Sequence, residues 1–284
     1  MTRTTGHVIP PRPQRDDPFA ARLRAMHARS AIFDVYGDLL PEHGRRTTVA
    51  ALVRLLAPVG IAAPAVRTAV SRMVSQGWLE PVTLPKGRGY AATARAETRY
   101  EQAAARIYPS QERAWDGTWQ LIAVTPPPGR AARGRLAREL GWLGHAELRS
   151  DVWVSPWSSA ELDDVLQRCD ASAVVATVSS FRPASAPLAA WDLETLRQSY
   201  VDWLEHVAAK VESHLSTHAD EDEAAFAARF HLVHEWRMFL FSDPGLPAEL
   251  LPEDWPGHEA AAYFTAEADR LREGAARFVA RALG

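Results

Sequence analysis

The chain has 284 residues, of which 47% are hydrophobic and 24% are charged, and its formal net charge is −3 at pH 7. This composition is that of a soluble globular protein, and the length suggests two or three domains. No run approaches the ~20 apolar residues of a membrane span, and no apolar signal-peptide core stands near Met1. We therefore expect a cytoplasmic protein that does not enter a membrane.

Charge is distributed unevenly along the chain. Residues 1–100 hold 15 Lys+Arg and 7 Asp+Glu, a net charge of +8, whereas the remaining residues carry −11. A basic end joined to an acidic body favours a protein that offers one face to a polyanion. Cys169 is the only cysteine, which excludes an intrachain disulfide and a cysteine-based zinc site, and nothing else in the sequence predicts a cofactor.

Helical patterns begin after a predicted mobile tail, residues 1–28, in which Pro and Arg are abundant. Ser30–Leu40 is predicted to be the first helix, with Ser30 as its N-cap. Thr47–Ala57 is a short amphipathic helix, and Pro64 begins another helix that runs to Gln76 and is stopped by Gly77. In this last helix an apolar stripe is predicted to face the core; it comprises Val66, Ala69, Val70, Met73 and Val74.

Two strand-like runs follow, Trp78–Thr83 and Tyr90–Thr93, and a basic turn joins them. Helix, turn, helix and basic hairpin is the order of a winged helix-turn-helix, predicted here for residues 29–95. The second helix is expected to contact DNA bases with side chains opposite its apolar stripe, namely Arg67, Thr68, Ser71 and Arg72. Phosphate contacts are expected from Lys86 and Arg88 in the hairpin and from Arg45 and Arg46 before the first helix of the pair. The alternative is a solvated basic surface, or a module that binds protein instead of DNA.

Strands and helices alternate differently in the middle of the chain. After a helical connector (residues 96–114), the predicted strands are Trp119–Thr125, Gly144–Leu148, Val152–Ser155 and Ala173–Val178. Helices are predicted at Arg130–Leu140 and Ser158–Cys169. The order strand-helix-strand-strand-helix-strand predicts a ferredoxin-like domain over residues 115–185. Residues 186–284 are predicted to form an all-helical domain from Trp191–Thr217, Ala224–Phe241 and Glu259–Leu283, so the fold class is α+β.

Several segments resemble the PaaX-like family, repressors of phenylacetic acid catabolism. They run in order along the chain: Arg29–Asp38, Ala65–Met73, Gly77–Leu79, Trp115–Trp119, Val152–Pro156, Leu232–Arg237 and Asp243–Gly257. The resemblance implies a winged-helix domain, a middle domain akin to a CRISPR-associated small endoribonuclease, and a helical C-terminal domain. It also implies a dimeric repressor that leaves a palindromic operator when an acyl-CoA thioester binds, such as phenylacetyl-CoA or a related aryl-CoA.

A second hypothesis is a metal-dependent nucleic-acid-processing enzyme built on the middle domain. Such an enzyme needs oxygen ligands for a hard cation at the end of the first strand, yet that strand ends Val124-Thr125-Pro126. Asp116 precedes the strand and is interpreted as fixing a turn. His231 and His234 lie three residues apart beside Glu235, but no third metal ligand stands out. We therefore predict a regulator without a metal site.

An acyl-CoA site requires cations for its phosphates and an apolar slot for its acyl group. The candidate walls are Trp115, Trp119, Trp153, Trp157 and Trp236, with Arg149, Arg182, Arg237 and His234 as polar or charged partners. Each residue also has an ordinary alternative, core packing for a tryptophan and solvation for an arginine. The sequence predicts an effector site between the middle and helical domains.

Overall fold

A computed structural model describes residues 27–108, 114–240 and 242–284. Nearly all of the predicted tail and the end of the predicted connector lie outside these residues. The described strands form two antiparallel sheets, and helices surround them. No helix in this part of the chain is long and apolar enough to cross a membrane.

The first helix, α1, spans Ala28–Asp34 and continues as a π-helical turn over Val35–Leu39, followed by a 3₁₀ turn at Pro41–His43. It starts two residues earlier than predicted. Ser30 is not its N-cap, because that position is His27 and the Ser30 hydroxyl donates a hydrogen bond to the His27 carbonyl at 2.9 Å. Ile32, Tyr36 and Leu40 are fully buried and form the inward face of this segment.

Two helices and a hairpin complete this unit: β1 (Arg46–Thr47), α2 (Val49–Leu56), α3 (Ala63–Ser75), β2 (Leu79–Leu84) and β3 (Gly87–Ala92). The strand order is β1-β3-β2. α2 begins two residues later than predicted because Thr47 pairs with Tyr90 in the sheet. Thr48 caps α2 instead, since its hydroxyl accepts a hydrogen bond from the Ala51 N–H at 3.1 Å. Gly77 adopts φ +71°, which ends α3 as predicted.

The connecting helix α4 (Ala94–Ile107) precedes the middle unit in the chain and ends at Tyr108. The middle unit contains β4 (Trp119–Thr125), α5 (Arg130–Trp142), β5 (Ala146–Arg149), β6 (Val152–Ser155), α6 (Leu162–Arg168) and β7 (Ser172–Val178). Its strands lie in the order β5-β6-β4-β7, and neighbours are antiparallel. The predicted alternation of strands and helices is therefore confirmed, and α5 and α6 cover one face of the sheet around Ile122, Leu140 and Val165.

The predicted start of α6 was wrong. Ser158 is not its cap, because α6 begins at Leu162 with Glu161 before it. Two serine hydroxyls fix the irregular segment ahead of the helix: Ser155 accepts from the Trp157 N–H at 3.1 Å, and Ser159 accepts from the Glu161 N–H at 3.3 Å. Such local side-chain bonds compete with helix formation.

Residues 193–283 contain α7 (Leu193–Thr217), α8 (Glu221–Phe239), α9 (Pro256–Arg270) and α10 (Arg272–Leu283). The last predicted helix is two helices, because the chain turns at Leu271. α8 is buried along most of its length and packs against α7, α9, α10 and α1. Residues of α8 therefore take part both in the core of the C-terminal helices and in the core of the first unit.

Candidate nucleic-acid interface and interdomain cleft

The two faces of α3 differ as the sequence predicted. Val66, Ala69, Val70 and Met73 are buried against α1 and α2. On the opposite face the four predicted base-contacting residues are all exposed: Arg67, Thr68, Ser71 and Arg72. Within the described residues, neither arginine forms an ion pair, so both guanidinium groups are available for an external anion or a base edge.

The hairpin presents Lys86 and Arg88, which are both exposed. Lys86 nevertheless has an internal partner, because its Nζ donates a hydrogen bond to the Leu283 carbonyl of α10 at 3.2 Å. Arg54 of α2 donates to the neighbouring Ala282 carbonyl from Nε at 2.9 Å and from Nη2 at 2.6 Å. The last carbonyls of α10 thus interact with two cations of the first unit, which is favourable at a helix C-terminus.

Arg45 and Arg46 differ in their placement. Arg46 is exposed on β1, whereas the Arg45 side chain is 14% exposed and pairs with Glu97 of α4. Arg45 has φ +43°, and its backbone N–H and carbonyl join Leu40 and Ala92 at 2.9 and 3.0 Å. This placement fits a residue that closes the turn before β1, and it does not fit the predicted phosphate contact.

A buried ionic cluster joins α1 to α8. Asp34 is 2% exposed, and its Oδ2 lies 2.5 Å from His234 Nδ1, while its other oxygen contacts the guanidinium of Arg237. Burial lowers the pKa of His234, and it lowers the pKa of Arg237 to about 10, which still leaves Arg237 protonated at neutral pH. The Arg237 guanidinium also lies over the Phe33 ring, 4.6 Å from its centroid.

A second cluster lies four residues after Asp34 and, on α8, five residues before His234. Asp38 of the π-helical turn pairs with Arg229 of α8 and accepts a hydrogen bond from the Tyr108 hydroxyl at 2.7 Å. Arg229 Nη2 also donates to that hydroxyl at 3.0 Å. Burial opposes the charge on Arg229, but the charge interactions and hydrogen bonds with Asp38 and Tyr108 together outweigh it and raise the pKa of Arg229. Burial and Asp38 both raise the pKa of Tyr108.

The predicted effector residues do not gather at one place. Trp115 and Trp119 pack edge to face, with centroids 5.7 Å apart, in a cluster with Phe181 and Trp191. Trp153 packs between the middle sheet and its helices, whereas Arg149 and Arg182 are exposed. His234 and Arg237 belong to the Asp34 cluster described above. Of the predicted set that includes Trp157, Trp119 and Trp157 line one cavity at the end of β4, and Trp157 and Trp236 line another, larger cavity.

That cavity, the interdomain cleft, lies where α4, the middle unit and α8 meet. Its volume is about 540 Å³, within the ~300–1,000 Å³ range of small-molecule pockets. Aromatic side chains form much of its wall: Trp142, Trp157, Tyr200, Trp236 and Phe239. Gln102, Ser158, Ser159 and Glu161 add polar groups, and Pro244 and Gly245 close one side.

Two arginines flank Trp142 at the cleft. The Arg99 guanidinium lies 3.3 Å from the ring centroid and that of Arg106 lies at 5.0 Å, both within cation–π range. Burial lowers the pKa of Arg99 to about 10 and also lowers that of Arg106. Arg106 donates to the carbonyls of Trp142 at 3.1 Å and Asp243 at 2.9 Å, so one side chain joins α4 to the middle unit and to the loop after α8.

The described residues contain no group of three His, Cys, Asp or Glu side chains that could hold a metal ion. His231 stacks on His214 with centroids 4.1 Å apart, and burial lowers the pKa of His231 to about 3. Asp116 accepts hydrogen bonds from the Thr118 N–H at 2.8 Å and hydroxyl at 2.7 Å, which is the turn-fixing role predicted for it.

Sequence reasoning missed both ionic clusters and most of the cleft. The sequence places Asp34 and Asp38 in the first helix and predicts no partner for either, although Asp34, His234 and Arg237 all lie in segments that carry the family resemblance. No local sequence pattern predicts that Arg106, Trp142 and Tyr200 line the cleft, because their neighbours come from distant parts of the chain. Asp34 and Asp38 carried one usable signal, since carboxylates on the inward side of an apolar helix require partners.

Three family models match the chain in order. They are described as PaaX-like protein over residues 27–96, PaaX protein central Cas2-like domain over 112–189, and PaaX-like protein C-terminal domain over 191–281. The chain is 29% identical over 245 residues to the transcriptional repressor PaaX of Escherichia coli (strain K12), covering 81% of this chain and 76% of that protein. It also resembles the solved structure of the uncharacterized protein Rv0674 from Mycobacterium tuberculosis, with a TM-score of 0.54 and 27% identity over 88% of this chain and 97% of the other.

Proposed function

We propose that this chain is a DNA-binding transcriptional repressor, on the premise that it belongs to the PaaX-like protein family. It is a regulator rather than an enzyme, as its similarity to the Escherichia coli repressor indicates. The observation that carries the DNA-binding proposal is the exposed polar face of α3, which holds Arg67, Thr68, Ser71 and Arg72 opposite a buried apolar stripe.

In this proposal α1, α2, α3 and the β2–β3 hairpin act as a winged helix-turn-helix. α3 enters the major groove, where arginine binds guanine edges and serine or threonine hydroxyls bind bases or phosphates. Arg46 and Arg88 are exposed and neutralise phosphates, which strengthens binding to every sequence. Lys86 contributes in the same way once its bond to the Leu283 carbonyl is exchanged for a phosphate oxygen.

The repressor acts as a homodimer on a palindromic operator, with its recognition helices ~34 Å or a multiple of that distance apart. An acyl-CoA thioester releases it from DNA, and phenylacetyl-CoA or a related aryl-CoA is the ligand class that we propose. The interdomain cleft suits the acyl part of such a ligand, since aromatic side chains wall it and hydroxyl, amide and carboxylate groups border it.

The same cleft suggests how effector binding reaches the DNA-binding unit. Trp236 and Phe239 of α8 line the cleft, and Arg237, between them in sequence, holds Asp34 of α1. A ligand that moves this end of α8 therefore also acts on α1, and α1 packs directly against α3. A ligand that binds the released arrangement ~100-fold more tightly supplies ~2.7 kcal/mol toward release.

Fluorescence anisotropy tests the recognition-helix assignment with an operator obtained by selection from random duplexes. The variant Arg67→Ala/Arg72→Ala is expected to lose ~1–3 kcal/mol of operator affinity for each arginine that reads a base, while its nonspecific binding changes much less. A matched variant, Arg130→Ala/Arg135→Ala, removes two exposed arginines of α5, so that it has the same net charge as the first variant. Equal losses in the two variants, or none in the first, would refute the assignment.

A further inference from the structure

A second cavity lies at the end of β4 that begins with Trp119. Its volume is about 270 Å³, half that of the interdomain cleft. This β4 cavity is lined by Trp119 and Trp157, and by side chains with hydrogen-bonding groups: Asp116, Thr118, Gln120, Ser158 and Thr177. Aromatic side chains with a few polar groups between them suit a flat ring that carries its own donors and acceptors.

Gln120 of this cavity is oriented by a buried histidine. His145 is 2% exposed, and its Nε2 lies 2.8 Å from Gln120 Oε1. Burial lowers the pKa of His145 to about 4, so the ring is neutral at pH 7 and donates this hydrogen bond from Nε2. The NH₂ group of Gln120 is thereby left for another partner, and it has none within the described residues.

Asp116 supplies an acceptor to the same cavity. Its Oδ1 accepts the hydrogen bonds from the Thr118 N–H and hydroxyl, and these bonds lower the pKa of Asp116, so the carboxylate is ionised at neutral pH. In the part of the chain that the structure describes, Oδ2 has no partner. The β4 cavity therefore offers one amide donor and one carboxylate acceptor beside two tryptophans.

An adenine base matches this pair of groups. It presents an acceptor, N7, next to the N6 amino donor, and glutamine is a common partner of that edge. A guanine base presents two acceptors there, O6 and N7, and both would face the Asp116 carboxylate. Bases of every kind stack on aromatic side chains, so Trp119 and Trp157 accept either purine and the polar groups choose between them.

We propose that the β4 cavity binds an adenine base, with Gln120 donating to a ring nitrogen and Asp116 accepting from the amino group. Two kinds of ligand carry that base, a CoA thioester and a free adenine nucleotide. The β4 cavity shares Trp157 and Ser158 with the interdomain cleft. A thioester with its acyl group in the cleft therefore has a continuous path to the β4 cavity. This continuity favours the thioester, and that choice rests on the proposed function.

Isothermal titration calorimetry of the full chain without DNA tests the adenine assignment. Adenosine 3′,5′-bisphosphate is expected to bind ~10-fold more tightly than guanosine 3′,5′-bisphosphate. Asp116→Asn keeps an oxygen for the Thr118 N–H but replaces the other oxygen by an NH₂ donor. It is expected to weaken binding of the adenosine compound ~10-fold and to reduce the preference over guanosine.

Two further variants complete this test. Gln120→Glu keeps an oxygen for His145 and removes the NH₂ donor, so it is expected to weaken the adenosine compound to a similar extent. Asp151→Asn is the matched control for Asp116→Asn. Asp151 is exposed in the turn between β5 and β6, outside the β4 cavity, and the substitution removes the same charge. It is expected to leave the dissociation constant nearly unchanged.

Phenylacetyl-CoA and phenylacetylpantetheine, which lacks the nucleotide, identify the source of the base. For a CoA thioester, phenylacetyl-CoA binds more tightly than phenylacetylpantetheine, adenosine 3′,5′-bisphosphate competes with it, and Asp116→Asn weakens it. For a free nucleotide, AMP binding responds to Asp116→Asn and phenylacetyl-CoA binding does not. Either result supports an adenine site in the β4 cavity.

Three results would overturn the proposal: no binding of AMP or adenosine 3′,5′-bisphosphate, equal affinity for the guanosine compound, or equal losses in Asp116→Asn and Asp151→Asn. Failure of the proposed function looks different, because phenylacetyl-CoA then neither binds nor releases DNA although AMP still binds. If phenylacetyl-CoA binds and no adenine compound responds to Asp116→Asn or Gln120→Glu, the effector stays in the cleft and the adenine assignment is wrong.

Discussion

Buried polar and charged residues join the first unit to the helical domain. Asp34 pairs with Arg237 and is hydrogen-bonded to His234, and Asp38 pairs with Arg229. Replacing such buried pairs by apolar residues is often neutral for stability, whereas removing one partner is costly. We interpret these pairs as selecting one arrangement of α1 against α8, because apolar packing alone would tolerate small shifts.

Asp38→Asn tests this interpretation. It leaves the Arg229 guanidinium buried without a carboxylate, so we expect a loss of ~3–5 kcal/mol in the free energy of unfolding. The double variant Asp38→Asn/Arg229→Met removes the unpaired charge and is expected to recover much of that loss. Urea denaturation followed by circular dichroism measures both. A double variant less stable than Asp38→Asn would mean that Arg229 contributes mainly through packing.

At the scale of single elements, periodic segments were the ones that sequence could predict. β4 and β6 have their predicted bounds, and α3 differs by one residue at each end, because its apolar stripe, Pro64 and Gly77 all act locally. The π-helical turn at Val35–Leu39 and the break at Leu271 have no such local signal. They depend on packing, since the π-helical turn sets Gly37 against the Tyr100 ring and Asp38 against Arg229.

The hairpin depends on Gly89 because there is no room for a side chain at this position. A Cβ at Gly89 would lie 2.3 Å from Leu84 Cδ1 and 2.9 Å from the Thr47 carbonyl oxygen, so β3 could not fit between β1 and β2 unchanged. Gly89→Ala is expected to destabilise the protein by ~1–3 kcal/mol through overpacking. Gly141→Ala is the control in α5, where no atom lies within 4 Å and alanine is expected to stabilise by ~0.5–1 kcal/mol.

Thermal denaturation measures the two glycine variants side by side. Opposite signs are expected, because the same added methyl group meets a backbone oxygen at one position and open space at the other. If Gly89→Ala is as stable as the wild-type protein, β1 and β2 can move apart and the hairpin is more adaptable than its register suggests.

For the molecule as a whole, the interdomain cleft is the feature that sequence reasoning located only in outline. The expectation of a site between the middle and helical domains remains a prediction, although a cavity exists there. Its lining comes from residues as far apart as Gln102 and Gly245, and of the residues proposed for the site only Trp157 and Trp236 take part. The type of a side chain does not predict which distant residues come together, because their positions depend on how the three units pack.

A thermal-shift panel of acyl-CoA thioesters tests the cleft as the effector site. A thioester at 100 times its dissociation constant is expected to add ~2.7 kcal/mol to stability. Ala105→Trp fills the cleft from α4 and is expected to abolish the shift, whereas Ala94→Trp, on the same helix but outside the cleft, should retain it. A full shift in Ala105→Trp would move the effector site elsewhere.

The position of the tryptophans gives the protein a built-in optical reporter. Trp142, Trp157 and Trp236 all border the cleft, and Trp142 lies against two guanidinium groups. Trp78, in contrast, is the only tryptophan between residues 27 and 108, and it lies under Arg95 beside the hairpin. The fluorescence of a Trp78→Phe variant is expected to change when a ligand enters the cleft. The fluorescence that this variant lacks, relative to the wild-type protein, comes from Trp78 and is expected to change when the DNA-binding end does, without any attached dye.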